Sequence, residues 1–107
     1  MVEFDTFRKW ALALPGSQEQ PHFEKTSFRV KNKIFATLNL KENRACVKLS
    51  EIEQSVFCGI NPNIVYPVPN KWGKQGWTLI DLSKVEPELC EDALSASYNN
   101  ITLKKSE

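Results

Sequence analysis

The stretch TSFRVKNKIFATLNLKENRACVKL, residues 26–49, decides the fold. Apolar and polar residues alternate along it with a period of two, as they do in half-buried β-strands. Two short polar connections, at residues 31–32 and 41–43, interrupt the alternation and are rich in turn-forming residues. The stretch therefore predicts three antiparallel strands in a meander. Ile34 and Phe35 are both apolar but point to opposite faces, so the pattern leaves open which face is deeper.

Helical signals lie on both sides of this meander. Apolar residues recur at spacings of three and four from Phe4 to Leu14, and Pro15 with Gly16 ends that helix. Ser50 and Glu53 form a capping-box pattern at the start of a second helix, on which Ile52 and Val56 are four apart. The remaining chain predicts a short edge strand or extended loop at 64–68, a polar loop at 71–76, a strand at 77–82 and a helix beginning at Pro87.

These elements predict one α+β domain spanning residues 1–107. The 107 residues and the ordinary share of apolar (41%) and charged (25%) side chains suit a single folded unit. We expect a two-layer architecture in the order α-β-β-β-α-β-β-α, with a five-stranded antiparallel sheet and the helices on one face. The other sheet face is then open to solvent or to a partner.

The sequence gives little reason to expect catalysis. Cys46, Cys58 and Cys90 contain no CxxC pair, which favours free, buried thiols in a reducing cytoplasm. The single histidine, His22, has no sequence relation to these cysteines, so a structural role is favoured over a Cys/His site. Glu86 and its acidic neighbours fall in the first turns of a helix, where the dipole accounts for them. We expect no enzyme, metal or cofactor, and no apolar run is long enough to cross a membrane.

Charge is distributed unevenly along the chain. The formal net charge is only +1, yet residues 25–48 hold seven basic side chains against Glu42 alone, which gives this segment about +6. A basic segment of this kind often forms a solvated sheet face or protects strand edges from aggregation. The alternative is a surface that follows a phosphate backbone. The candidate contacts in the meander are Lys25, Arg29, Lys31, Lys33, Lys41 and Arg44.

A second candidate patch lies in the loop at residues 70–77. Lys71, Trp72 and Lys74 could grip a phosphate backbone while the indole stacks on or wedges between bases. In the competing interpretation Trp72 packs back onto the core and the glycines only shape the turn. Neutralisation of about six phosphates would lower DNA affinity roughly a thousandfold between about 50 and 200 mM salt.

Several short runs resemble the MmcQ/YjbR family. They are Leu14-Pro15-Gly16-Ser17, Phe28-Arg29-Val30, Lys33-Ile34-Phe35-Ala36, Pro69-Asn70-Lys71-Trp72-Gly73 followed by Gly76-Trp77, and Ser97-Tyr98. The resemblance extends from about Phe4 to about Leu103. It implies a small α+β domain similar to the secretion-chaperone-like and CyaY-like folds. It also implies a double-wing DNA-binding arrangement of hairpins, with Arg29, Lys31, Lys33, Lys71, Trp72 and Lys74 as contacts.

Two functional hypotheses follow. The first is a weak, salt-sensitive and largely backbone-directed binder of double-stranded DNA, with regulation as one use of that binding. The second is a protein-binding or chaperone-like module that uses the open sheet face to hold a partner or a second copy. The sequence pI of about 7.7 lies well below the value above 9 that is typical of DNA-binding domains, so we expect any DNA affinity to be low.

Overall fold

A computed structural model describes residues 1–22 and 24–103, with His22 described only in its backbone. The elements in chain order are α1 (Phe4–Ala13), β1 (Gln18–His22), β2 (Lys25–Val30), β3 (Lys33–Asn39), β4 (Arg44–Lys48), α2 (Glu51–Ile60), β5 (Val65–Pro67), α3 (Lys71–Lys74), β6 (Trp77–Asp81) and α4 (Pro87–Thr102). The described residues form an α+β fold with one antiparallel sheet.

The sheet has the strand order β1-β2-β3-β4-β6-β5. The predicted meander is confirmed as β2, β3 and β4, with antiparallel pairing throughout. Lys31 and Asn32 both have positive φ in the β2–β3 turn, as a tight hairpin of two residues requires. The β3–β4 turn lies at the opposite end of β3. We call the two ends of the sheet the Lys31 end and the Lys41 end, after the turns that they carry.

The predictions of five strands and of the order α-β-β-β-α-β-β-α were wrong. An additional strand, β1, pairs with β2 along its whole length. Its sequence, QEQPH, has no apolar alternation because it is an edge strand with one neighbour, and it includes Pro21. Residues 71–74, predicted as loop, form the single turn α3, where the Asn70 side chain accepts a hydrogen bond from the Trp72 amide.

The three longer helices cover one face of the sheet. Directly opposed residues of antiparallel strands project to the same side, so Phe28, Ala36, Val47 and Thr78 form one row across the covered face. The ring of Phe7 in α1 lies 6.1 Å from that of Phe28, centroid to centroid. All of these side chains are buried. This row is therefore the centre of the core.

A β-bulge determines which of the two neighbouring residues Ile34 and Phe35 faces the core. The register between β2 and β3 shifts between Phe28 and Arg29, so that Phe28 opposes Ala36 while Arg29 opposes Ile34. The extra residue, Phe35, breaks the alternation and reaches the helical side, where its ring packs edge-on against Tyr98 of α4. Phe35 is fully buried and Ile34 only partly.

The helices α1 and α4 match the sequence pattern, whereas α2 turns its apolar stripe away from the protein. In α1 the apolar stripe is buried through Phe7 and Ala11, and α4 begins with Pro87 as predicted. The capping box of Ser50 and Glu53 opens α2. Ile52, Val56 and Ile60, however, form an outward stripe on α2 and are 77%, 57% and 61% exposed. The side of α2 that faces the protein is held instead by Phe57 and by Gln54, whose amide donates to Thr78 Oγ1.

Candidate nucleic-acid interface

The open face of the sheet, opposite the three longer helices, has a neutral row across its middle. The register places five directly opposed residues in this row: Ser27, Thr37, Cys46, Leu79 and Tyr66. Ser27 and Thr37 have little exposed surface although no helix of the core lies above them. Arg29 from the neighbouring row lies against Ser27, to which it donates a hydrogen bond, as long side chains often do on a sheet.

Cationic side chains flank the neutral row on both sides. Towards the Lys31 end lie Arg29 and Lys48, and Lys48 directly opposes Trp77. Towards the Lys41 end lie Lys25 and Arg44. Arg44 and Lys48 are four residues apart on β4, which separates the two cationic rows by about 13 Å. The open face therefore carries two positive rows with a shallow neutral strip between them.

Contacts with the sheet hold these cations in place. The Arg29 Nε donates to Ser27 Oγ over 3.2 Å, so the guanidinium lies along β2. The Lys48 Nζ is 6.0 Å from the centroid of the Trp77 ring, within range of a cation–π interaction. Each contact restricts the side chain, and both residues remain partly exposed.

The cations at the Lys41 end are largely compensated by acidic groups. Lys41 Nζ lies 3.5 Å from a Glu24 oxygen, and Arg44 Nη2 lies 3.1 Å from a Glu42 oxygen. Arg44 also opposes Asp81 and donates to the Tyr66 hydroxyl. The pKa of Asp81 is lowered, chiefly by the hydrogen bond from the Ser83 hydroxyl, so this carboxylate stays ionised. The Lys41 end thus offers little uncompensated positive charge.

The cations at the Lys31 end form no ion pair with another described residue. Within residues 1–22 and 24–103, the ion pairs involve only Arg8, Lys41 and Arg44 among the basic side chains. Arg29 and Lys48 on the open face, and Lys31 and Lys33 at the hairpin turn, are therefore not matched by an acidic partner in this part of the chain. This half of the sheet is the strongest candidate for contact with an anion.

The predicted site residues divide between these two ends. Arg29, Lys31 and Lys33 lie at the Lys31 end, and α3 carries Lys71, Trp72 and Lys74 to the same end, immediately before β6 begins. Lys25, Lys41 and Arg44 lie at the other end. The nine predicted residues do not form one cluster, because the two turns of a meander must lie at opposite ends of their shared strand.

Trp72 is 49% exposed, which favours the surface role over the alternative that it packs into the core. The Lys71 Nζ lies 5.9 Å from the centre of its ring. The turn is connected to α2, because Gln54 of α2 donates a hydrogen bond to the Gly73 carbonyl oxygen. The indole is therefore half exposed on a turn that is hydrogen-bonded to α2.

A groove at the Lys31 end connects the hairpin turn with the start of β6. We call it the end groove; it has a volume of about 780 Å³. Its polar lining includes Lys33, Lys48, Ser50, Gln75 and Asn100, and its wall includes Trp77. Sequence reasoning missed Lys48, Trp77 and Asn100 as site residues. Lys48 was visible in the basic segment, but no local pattern relates it to Asn100, which lies 52 residues further along the chain.

Burial raises the pKa of two of the cysteine thiols. Burial raises the pKa of the Cys46 thiol to about 11, although the Lys25 ammonium opposes this shift. Burial also raises the pKa of Cys90, to about 12. Both thiols are therefore protonated at neutral pH and are weak nucleophiles. The side chain of His22 lies outside the described parts of the structure.

The described residues contain neither a metal-binding cluster nor a membrane-spanning helix. No three of the described His, Cys, Asp or Glu side chains, which exclude that of His22, are grouped so that they could hold a metal ion. None of the helices in this part of the chain is both long enough and apolar enough to cross a bilayer.

Comparisons with known proteins identify the family. The structure is similar to the crystal structure of Deinococcus radiodurans protein DR2400, with family-model domain DUF419; the TM-score is 0.85 and the sequence identity 24%, over 100% of this chain and 83% of that one. At this identity the similarity concerns the fold. No functionally curated protein matches the sequence. The YjbR family model matches residues 12–100, and the chain therefore belongs to the YjbR family.

Proposed function

We propose that this chain is a weak, largely backbone-directed DNA-binding protein whose contact surface is the Lys31 end of the open sheet face. The observation that carries the proposal is a group of cations at this end, Arg29, Lys31, Lys33 and Lys48, none of which forms an ion pair with another described residue. Arg29 and Lys48 lie on the open face, with Lys48 beside Trp77, whereas Lys31 lies in the β2–β3 turn and Lys33 at the start of β3. Ammonium and guanidinium groups in such a group would contact phosphates and would not distinguish sequences.

The overall charge sets the strength of this binding. A net charge of +1 provides little long-range attraction, because the acidic residues elsewhere offset the basic face. Glu51 and Glu53 lie at the start of α2, also at the Lys31 end. Glu53 is already engaged by Ser50 and Asn100, whereas Glu51 is exposed and would repel a backbone that approached from the helical side. DNA would therefore approach from the open face.

A fluorescence polarisation titration with labelled duplex DNA at about 50 mM salt tests the proposal. Charge reversal at the half-buried Arg29 together with the exposed Lys31, Arg29→Glu with Lys31→Glu, should weaken binding at least about tenfold because two phosphate contacts become repulsive. A matched double reversal, Lys9→Glu with Lys84→Glu, makes the same change in net charge away from the Lys31 end. It should weaken binding much less.

Two results would refute the proposal. One is a wild-type protein that gives no change in polarisation with duplex DNA at low salt. The other is an equal loss of affinity in both double variants, which would mean that only net charge matters. Circular dichroism spectra of all the proteins establish that each variant is folded.

A protein-binding role is the second candidate, and one observation favours it. The outward stripe of Ile52, Val56 and Ile60 places the exposed apolar surface on α2, away from the open sheet face where the sequence suggested it. A helix of ten residues supplies only part of the roughly 800 Å² per partner that a stable interface uses. We therefore keep DNA binding as the main proposal.

A further inference from the structure

We propose that the end groove binds a nucleotide, with its phosphate on Lys33 and Lys48 and its base along Trp77. The nucleotide could come from two sources, a DNA strand end or a free mononucleotide. Only the first of these rests on the proposed function. The volume of about 780 Å³ falls within the range of about 300–1,000 Å³ that is usual for small-molecule sites.

The charge of the groove selects an anion. Lys33 from the hairpin turn and Lys48 from the end of β4 reach it from neighbouring strands, and none of the described residues that line it is acidic. The nearest carboxylate in the hydrogen-bond network, Glu53, accepts from the Ser50 amide over 3.0 Å and from Asn100 Nδ2 over 2.7 Å. The described lining thus holds two ammonium groups, and the carboxylate beside it is already engaged by two hydrogen bonds; this suits a phosphate, which carries up to two negative charges.

Other groups of the groove suit a base. The last turn of α4, which ends at Thr102, lines the groove next to β4, where Asn100 Nδ2 lies 3.5 Å from the Lys48 carbonyl oxygen. The final carbonyl groups of a helix lack intrahelical partners and carry partial negative charge, so they accept hydrogen bonds from amino groups. The Trp77 ring provides an adjacent planar surface, and the amides of Gln75 and Asn99 supply further donors and acceptors. A ligand with a phosphate and an aminated ring matches this combination of lining groups.

Titration of the full chain with adenosine 5′-monophosphate tests the inference. Binding is followed by calorimetry and by the NMR signal of the Trp77 indole, which we expect to shift. Adenosine without phosphate should bind at least about tenfold more weakly, because the contacts to Lys33 and Lys48 are lost. Lys33→Glu should weaken binding of the monophosphate by a similar factor. Lys41→Glu, the same change at the opposite end of the sheet, should leave it unaltered.

Equal affinities for adenosine and its monophosphate would overturn the inference, and so would equal effects of Lys33→Glu and Lys41→Glu. The two sources are distinguished with a single-stranded oligonucleotide that carries either a 5′-phosphate or a 5′-hydroxyl. Preference for the phosphate assigns the groove to strand ends; no preference, with monophosphate binding intact, assigns it to a free nucleotide.

Duplex titration separates this inference from the proposed function. If monophosphate binds but duplex DNA does not, the groove inference stands and the DNA proposal fails. If the Arg29→Glu and Lys31→Glu variant loses duplex affinity while the wild type shows no monophosphate binding, the proposed function stands and the groove inference fails.

Discussion

Gly76 determines how closely the start of β6 approaches the end of β4. Its φ is +106°, which is strained for any residue with a side chain, and an added Cβ would lie 1.9 Å from the Leu49 carbonyl oxygen. The Leu49 amide donates in turn to the Gly76 carbonyl oxygen over 2.9 Å. Neither backbone can move without losing this hydrogen bond. The glycine therefore supports the wall of the end groove that Trp77 and Leu49 form.

Gly76→Ala should lower the free energy of unfolding by about 2–4 kcal/mol, because the new methyl group meets backbone atoms and the φ becomes unfavourable. Gly59→Ala is the control, since an added Cβ there meets nothing within 4 Å. It should raise the free energy of unfolding by about 0.5–1 kcal/mol, as alanine favours a helix more than glycine does. Urea denaturation measures both. A loss below about 1 kcal/mol at Gly76 would contradict this account.

Individual residues also mark the limit of what the sequence could predict. The alternation in β3 located the strand but could not place Phe35, because the bulge depends on the pairing with β2 and has no local signal. Lys33 and Asn100 are both ordinary surface types, and only the folded chain brings them to one groove. The confirmed predictions, such as the hairpins and the capping box, are those in which the determining residues are close neighbours in sequence.

Among the elements, α2 is held by hydrogen bonds at its first turn and is exposed along its outer side. The Ser50 hydroxyl accepts from the Glu53 amide over 3.1 Å, and the Glu53 carboxylate accepts from both the Ser50 amide and Asn100. The cap thus joins α2 to α4. No residue of α2 is fully buried, so a large share of its stability must come from these hydrogen bonds and those of Gln54.

Ser50→Ala should reduce the free energy of unfolding by about 1 kcal/mol, because the Glu53 amide loses its partner. Ser55→Ala, in the exposed middle of the same helix, should change it by less than about 0.5 kcal/mol. Thermal unfolding monitored by circular dichroism compares the two variants. Similar shifts in both would mean that the cap contributes nothing specific.

The elements that the sequence did not reveal have little apolar content. β1 is polar because it contacts one strand, and α3 has four residues, too few to establish a helical period. Periodicity reports burial, so elements that bury almost nothing escape it. In α2 the apolar residues have helical spacing but face outward. Spacing alone therefore predicted the helix and could not show which of its sides is buried.

At the scale of the whole molecule, the +1 net charge conceals a division between the two ends of the sheet. Basic residues at the Lys41 end are matched by Glu24, Glu42 and Asp81, whereas those at the Lys31 end are not matched within the described chain. The strand register produces this separation, because it places the β2–β3 turn and the β3–β4 turn far apart. A small, nearly neutral protein can in this way present one locally positive surface.

The dependence of DNA affinity on salt should show how much of the Lys31 end takes part. Six phosphate contacts would come from the four cations Arg29, Lys31, Lys33 and Lys48 together with Lys71 and Lys74. They give a slope of log K against log salt of about −5. Lys71→Ala with Lys74→Ala should reduce the slope to about −3.5 if α3 contributes. An unchanged slope would restrict the contact surface to the sheet. Polarisation titrations at several salt concentrations provide the measurement.

Both edges of the sheet contain proline, Pro21 in β1 and Pro67 in β5. Each proline removes an N–H group that a further strand would need as a partner, and β5 has only three residues. Growth of the sheet by strand addition is therefore disfavoured at both sides, which protects the monomer from edge-to-edge aggregation. The same feature limits the modes of recognition: partners that insert an extended peptide as an extra strand find no suitable edge, and binding is directed to the open face, the end groove and α2.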